Sequence, residues 1–194
     1  MPDTARRERY HHGALRAALI DTSIDLLAER GLEAFSMAEV SRRLGVAQAA
    51  PYRHFADRDE LLAAVAVHAG DVLHERLVRV TGDGSPAQRL AAASAEYVRF
   101  AAEQRPLFQA LYGAGLDKRR PDLQRMGERI GALFLAPARQ ICGTDEHAQR
   151  LTSAVIATAH GHATLLVDHG VDENAPEDAA AAVRALIAGR RWLT

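Results

Sequence analysis

Apolar residues recur along this chain at the three- and four-residue spacing of amphipathic α-helices. The first such segment runs from Gly13 to Arg30, and Gly31 follows it as a left-handed stop. Its apolar face is made of Leu15, Leu19, Thr22, Leu26 and Leu27. Alanine, leucine, arginine and glutamate recur throughout and aromatic residues make up 5%, which favours helix over sheet. The pattern predicts an all-α fold of about nine helices.

Capping signals indicate where the next helices begin and end. Ser36 and Glu39 form a capping box that starts a short second helix, which ends at Leu44 because Gly45 follows. A third helix is expected from Gln48 to Phe55. Asp57 caps a fourth, whose periodic part runs from Leu61 to about Val80. The later predicted helices span residues 86–104, 107–112, 121–141, 145–169 and 176–188.

The second and third helices, with a glycine turn between them, have the spacing of a helix-turn-helix. Such a pair binds DNA by bracing one helix against phosphates while the other enters the major groove. The residues expected to form the apolar seam between the two are Ala38, Val40, Leu44, Val46 and Phe55. Helix pairs with glycine turns also occur in proteins that bind no DNA, so the spacing alone does not assign the function.

Charge and composition narrow the class of protein. The formal net charge of −1 over 194 residues excludes a generally basic nucleic-acid binder, so DNA contact requires a local positive patch. One such patch lies in the first sixteen residues, where arginines and histidines outnumber acids. This segment is either a phosphate-contacting arm or a solvated tail. Its basic residues are Arg6, Arg7, Arg9 and Arg16, with His11 and His12.

Several classes of site are absent from the sequence pattern. Cys142 is the only cysteine, which fits a reducing, cytoplasmic setting and excludes a cysteine-based metal cluster within one chain. His160 and His162 point about 200° apart on a helix and cannot chelate one metal together. No apolar stretch is long enough to span a membrane, and no catalytic or cofactor motif is present. We therefore expect no metal, no cofactor and no enzymatic activity.

Particular residues of the helix-turn-helix resemble the TetR family of transcriptional regulators. The resemblance covers about residues 10 to 65 and is carried by Ser36-Met37-Ala38-Glu39-Val40, by Leu44-Gly45-Val46, and above all by the run from Pro51 to Leu62, PYRHFADRDELL. Ala159-His160-Gly161 is similar to a Trp-His-Gly signature of one TetR subgroup, with alanine in place of tryptophan. The resemblance implies a homodimeric DNA-binding regulator, by family default a repressor.

The resemblance also implies a role for individual residues. Ser36 matches the residue that caps the second helix beside a phosphate, and Tyr52 and His54 match positions that touch the DNA backbone. Arg58 matches a basic residue, usually lysine, that opens the fourth helix, and we expect it to clamp DNA phosphates together with Tyr52 and His54. Gln48, Ala49, Ala50 and Arg53 match positions that face base edges, and of these Gln48 and Arg53 can read bases by hydrogen bonds. Ala47 departs from the pattern, because many relatives have a capping serine there.

For the rest of the chain, the family implies a DNA-binding domain over residues 1–58 and a ligand-binding and dimerisation domain over residues 59–194. Candidates for lining a largely apolar ligand pocket are Tyr97, Phe100, Phe108, Tyr112, Met126, Phe134 and His160. Candidates for the dimer interface on the last two helices are Leu151, Val155, His162, Leu165, Val183, Leu186 and Ile187. Both sets have an alternative role as the chain's own core.

The implied partners are a palindromic DNA operator, a small-molecule effector and a second copy of the chain, with no membrane. Two other classes of function stay open at this stage. The helices could form a protein-binding adaptor that does not bind DNA, or they could enclose the active site of an enzyme. An adaptor would use the same helices without the amino-terminal arm and the residues around Tyr52.

Overall fold

The computed structural model describes the backbone of residues 4–170 and 174–189, and the side chains of these residues from Ala14 onward. Within these ranges the chain forms eight α-helices, one short 3₁₀ helix and no strand. In chain order the helices are α1 (Thr4–Arg30), α2 (Met37–Leu44), the 3₁₀ helix η1 (Pro51–Arg53), α3 (Arg58–Thr81), α4 (Pro86–Glu103), α5 (Arg105–Tyr112), α6 (Pro121–Ile141), α7 (Asp145–His169) and α8 (Ala175–Ala188). The all-α expectation is confirmed.

The first helix is longer than its apolar pattern predicted. It begins at Thr4, whereas the periodic segment begins at Gly13. The added turns contain arginine, glutamate and alanine, which are good helix formers, and no proline or glycine interrupts them before Gly13. The side chains of Arg6, Arg7, Arg9, His11 and His12 lie outside the described residues.

The described chain divides into two compact units. The first comprises Met1–Ala69 and Pro106–Lys118, and the second comprises Gly70–Arg105 and Arg119–Thr194. The domain boundary expected after residue 58 falls at the start of α3, whereas the compact units divide within that helix. One continuous helix therefore contributes its first turns to one unit and its last turns to the other.

The core of the first unit is built from α1, α2, η1 and the start of α3. Its fully buried apolar side chains include Leu19, Leu26, Val40, Phe55, Leu61 and Leu62. Two buried serines satisfy their hydroxyls locally, because Ser23 donates to the carbonyl of Leu19 at 2.6 Å and Ser41 to that of Met37 at 3.0 Å.

The predicted apolar seam between the second and third predicted helices is wrong at Ala38, which is exposed, and Met37 is buried instead. With the cap at Ser36, Met37 shares a face with Val40 and Ser41.

Cap and turn geometry set the bounds of α2. The Ser36 hydroxyl accepts the N–H of Glu39 at 3.2 Å, but the Glu39 carboxylate pairs with arginines rather than completing the predicted box. At the other end Gly45 adopts φ 66° and ψ 27°, its N–H donates to Arg42 and that of Val46 donates to Ser41. This is a Schellman motif, which needs a left-handed residue. The glycine turn of the helix-turn-helix is confirmed.

The third predicted helix, Gln48 to Phe55, is wrong as an α-helix. The N–H of Ala50 donates to the carbonyl of Ala47 at 2.8 Å, and that of Arg53 to Ala50 at 3.2 Å, so the backbone follows tight three-residue turns. Proline has no N–H and Pro51 stands where an α-helix would need a donor to Ala47. The segment from Ala47 to Phe55 is therefore a turn followed by η1, and we call it the reading segment.

The second unit contains α4, α6, α7, α8 and the last turns of α3. Leu151 and Val155 of α7, with Val183 and Ile187 of α8, are buried inside this unit. These four were predicted to form the dimer interface, with the chain's own core as the alternative, and their burial in their own subunit favours the alternative. Of the predicted set, Leu165 is exposed, and His162 and Leu186 are half-buried.

We predict opposite effects of alanine at two glycines that differ only in backbone conformation. A Cβ would meet no atom within 4 Å at either Gly45 or Gly127, but only Gly45 has a positive φ. Gly45→Ala should lower the free energy of unfolding by about 1–2 kcal/mol through left-handed strain. Gly127→Ala, within α6, should raise it by about 0.5–1 kcal/mol through helix propensity. Urea unfolding at one protein concentration measures both, and equal shifts of one sign would contradict the assignment.

Candidate nucleic-acid interface

The reading segment presents one buried and one exposed side. Pro51 and Phe55 are both buried, Phe55 to 2% exposure, and the N–H groups of His54 and Phe55 donate to the Pro51 carbonyl at 2.9 and 3.0 Å. Tyr52 and Arg53, which lie between them, are exposed, and Tyr52 is 57% exposed. A large aromatic side chain this exposed beside an arginine is available to a partner rather than to the core.

The other predicted contacts extend the same exposed side towards the glycine turn. Gln48 and Ala49 are exposed, and Ala50 and His54 are half-buried. Gln48 lies in the turn that precedes η1 and Tyr52 lies within η1, and both side chains are exposed. The reading segment therefore exposes a hydrogen-bonding amide, a phenol and a guanidinium, with small alanines between the amide and the phenol.

Ser36 places the amino-terminal end of α2 at the surface of the same unit. Its side chain is exposed, and its oxygen accepts from the Glu39 N–H while its own proton can still be donated. A helix amino terminus carries partial positive charge and favours a phosphate. This geometry suits the predicted role of Ser36 beside the DNA backbone.

Glu39 organises a group of charges that joins α1 to α2. Its carboxylate accepts from Arg42 at 2.7 and 2.8 Å and from Arg43 at 3.4 Å, and Arg43 also pairs with Glu29 of α1 at 2.5 Å. The hydrogen bond from Arg42, followed by that from Arg43, lowers the pKa of Glu39 to about 2. The carboxylate is therefore ionised throughout the neutral range, and these ion pairs persist there.

Two further arginines stack on buried rings of the first unit. The guanidinium of Arg16 lies 5.1 Å from the centroid of the Phe55 ring, and that of Arg58 lies 5.6 Å from the centroid of the Phe35 ring. Arg58 also donates to the carbonyls of Leu32 and Phe35 at 2.9 and 3.2 Å. The family resemblance predicted that Arg58 lies beside a phosphate. It did not predict these partners, which are 26 and 23 residues away along the chain.

The predicted ligand-pocket residues are distributed over the two compact units. Tyr97, Phe100 and Phe134 are buried in the second unit, where the Tyr97 hydroxyl lies 2.9 Å from Nδ1 of His160. Met126 packs its thioether against Gly70, where any side chain would collide with it. Phe108 and Tyr112 belong to the first unit, their ring centroids 5.1 Å apart, and Tyr112 is exposed.

The described residues contain neither a metal-binding group nor a membrane-spanning helix. None of their histidine, cysteine, aspartate and glutamate side chains come together in a group of three that could bind a metal ion. None of the helices in that part of the chain is both long enough and apolar enough to cross a membrane.

Comparison with known protein families identifies the family to which the chain belongs. Residues 19–65 match the family model described as "Bacterial regulatory proteins, tetR family". Residues 90–189, half of the chain, match the model "Tetracyclin repressor-like, C-terminal domain". The chain belongs to the TetR family. It is accordingly a transcriptional regulator with a helix-turn-helix DNA-binding domain, and not an enzyme.

Individual relatives and solved structures are similar to this protein over most of the chain. The HTH-type transcriptional regulator BetI of Rhizobium meliloti is 24% identical over 154 residues, which are 75% of this chain and 74% of BetI. A protein of unknown function from Rhodococcus sp. RHA1 superimposes with a TM-score of 0.77 at 29% identity, over 93% of this chain and 97% of its own. RolR, solved with the ligand resorcinol, superimposes with a TM-score of 0.70 at 24% identity over 95% of each chain.

The exposure of Tyr52 leads to a prediction that separates DNA binding from folding. Tyr52→Ala should change the free energy of unfolding by less than about 0.5 kcal/mol, because the side chain is mostly in solvent. It should weaken binding to duplex DNA about tenfold or more, the value of one hydrogen bond to a charged phosphate. Fluorescence anisotropy with a labelled duplex measures the affinity.

Val78→Ala is the matched control for this substitution. Val78 is an exposed apolar side chain on the half of α3 that belongs to the second unit. Its replacement should alter neither stability nor affinity. Equal DNA affinity of Tyr52→Ala and Val78→Ala would contradict the assignment of the reading segment.

Proposed function

We propose that this TetR-family regulator is a homodimeric repressor that binds a palindromic operator and is released from it by a small, largely apolar ligand. The observation that carries the proposal is the exposed side of the reading segment, opposite buried Pro51 and Phe55. DNA is the partner that explains an exposed tyrosine, arginine and glutamine on one helix-turn-helix surface. Because the operator lies in the cytoplasm of a bacterium, the regulator acts there.

Base reading is assigned to Gln48 and Arg53. A glutamine can make two hydrogen bonds to adenine and an arginine two to guanine in the major groove. Ala49 and Ala50 between them allow close approach to the groove floor, and alanine can contact a thymine methyl group. The two polar side chains thus supply the sequence information at each half-site.

Backbone contacts are assigned to Ser36, Tyr52 and His54. Phosphate contacts fix the orientation of a protein on DNA and supply most of its salt-dependent affinity. Ala47 provides no hydroxyl at the start of the reading segment, and its N–H can instead approach a phosphate through the positive end of the turn. The start of α2 therefore supplies a larger share of the affinity for DNA than it would if residue 47 were a serine.

The dimer is assigned to a face of α7 and α8 that the subunit leaves exposed. Ala157, Gly161 and Leu165 repeat at four-residue spacing on α7, and Ala181 and Ala185 do so on α8. Leu165 is 59% exposed, more than any other large apolar residue of the described chain. A side chain at Gly161 would meet nothing within its own subunit, so this fold does not require glycine there. Close approach of a partner helix supplies the reason.

The ligand class is inferred from the interior of the second unit. Among the described residues of this unit Glu96 is the one buried acid, and its charge is already compensated by Arg76 and by Arg99 at 3.3 Å. Tyr97 and His160 supply polar atoms among aromatic and aliphatic side chains. A small aromatic molecule with a hydroxyl fits this chemistry, and RolR binds one of that class. Release of a labelled duplex on adding resorcinol-sized phenols tests this part.

The base-reading assignment predicts changes in specificity. Gln48→Ala and Arg53→Ala should each lose about 1–3 kcal/mol of discrimination at one base pair per half-site. Tyr52→Ala should weaken binding about equally at all sequences. Sequencing of duplexes selected from a random pool by each variant measures this. Identical selected sequences for Gln48→Ala, Arg53→Ala and the wild type would contradict the assignment.

The dimer assignment predicts the effect of a charge on the exposed face of α7. Leu165→Glu should shift the protein from dimer to monomer in sedimentation velocity at micromolar concentration, because the carboxylate would be desolvated in the interface. Val78→Glu places the same charge at an exposed apolar position outside α7 and α8 and should stay dimeric. A Leu165→Glu protein that sediments as the wild-type dimer would refute this interface.

A further inference from the structure

Arg58 has a pattern of partners that a phosphate-binding side chain does not need. Its Nε donates to the carbonyl of Phe35 at 3.2 Å and its Nη2 to the carbonyl of Leu32 at 2.9 Å. These carbonyls stand near the two ends of the loop between α1 and α2, whose own bond joins Phe35 N–H to Leu32 at 3.3 Å. One guanidinium therefore closes this loop.

The remaining nitrogen and the plane of the guanidinium also have partners. Nη1 lies 3.5 Å from a carboxylate oxygen of Asp59, and the guanidinium carbon is 5.6 Å from the centroid of buried Phe35. The negative charge of Asp59 partly offsets the positive charge of Arg58, which would otherwise attract a phosphate. The side chain of Arg58 is 41% exposed, but its fork is directed at the loop.

The loop leads directly into the phosphate-binding end of α2. Phe35 precedes Ser36, whose hydroxyl accepts the N–H of Glu39 at 3.2 Å and caps the helix. Holding the Phe35 carbonyl fixes the peptide that joins it to Ser36. Because Arg58 is the first residue of α3, its side chain ties the start of α3 to the start of α2.

We infer that Arg58 is a positioning residue for DNA binding, which sets the amino-terminal end of α2 against the phosphates without contacting a phosphate itself. This inference rests on the proposed binding of DNA by the first unit. In this chain the planar guanidinium donates to the two carbonyls through two different nitrogens, an arrangement that the single ammonium nitrogen of a lysine does not provide. A shift of α3 would also be transmitted through this fork to Ser36.

Two variants separate positioning from phosphate binding. Arg58→Lys keeps the charge but loses the fork, and Arg58→Met loses both. Affinity for a 30-base-pair duplex selected by the wild type is measured by anisotropy between 50 and 300 mM KCl. Positioning predicts that both variants bind about tenfold more weakly with an unchanged salt slope. Phosphate contact predicts that lysine restores affinity and that methionine lowers the slope by about 0.9 per subunit.

Hydrogen exchange provides a local readout that a general loss of stability would not reproduce. In Arg58→Lys the amide of Glu39, which is bonded to Ser36, should exchange faster, while the amide of Cys142 at the end of α6, bonded to Ala138 at 3.0 Å, should exchange as in the wild type. Unchanged Glu39 exchange with unchanged affinity would overturn the inference.

The outcomes also distinguish this inference from the proposed function. If the wild type binds no duplex from the pool, DNA binding itself is refuted. If the wild type binds and Tyr52→Ala does not, but Arg58→Lys binds as the wild type does, only the role of Arg58 is refuted. The lysine variant decides the question should the methionine variant not fold.

Discussion

The burial of Pro51 and Phe55 on one side of a short helical segment is the constraint on which the DNA-binding surface depends. Phe55 is fully enclosed by the helices of the first unit, and Arg16 covers its ring at 5.1 Å. With these two side chains inside, Tyr52 and Arg53 have to be outside. Hydrophobic burial, which is not specific for any ligand, thereby decides which side chains of this segment face solvent, and these are the side chains that we propose contact DNA.

Charge serves two purposes in this almost neutral chain. Arg43 and Arg58 pair within the protein, with Glu29 and with backbone carbonyls, and so hold α1, α2 and α3 in register. Arg53 faces solvent on the reading segment. A net charge of −1 is therefore compatible with DNA binding, because binding depends on local positive charge such as that of Arg53. The neighbouring arginines, Arg43 and Arg58, hold the helices in position.

Local rules predicted most helix bounds, because caps and breakers act within a few residues. The box of Ser85 and Gln88 starts α4, and α6 and α7 have the predicted limits. The sequence did not predict the 3₁₀ form at Pro51, and for Leu151 and Val155 it did not decide between a dimer interface and the chain's own core. Which face of an alanine-rich helix is buried depends on neighbours distant in sequence, as do the partners of Arg58.

The central claim is that two reading segments, one from each subunit, enter the major groove of one operator. Hydroxyl-radical footprinting of the wild-type protein on a selected duplex tests it most directly. The account predicts two protected regions related by a two-fold axis, with centres about 34 Å, one helical turn, or a whole multiple of that apart. One isolated protected patch, or uniform protection along the duplex, would contradict it.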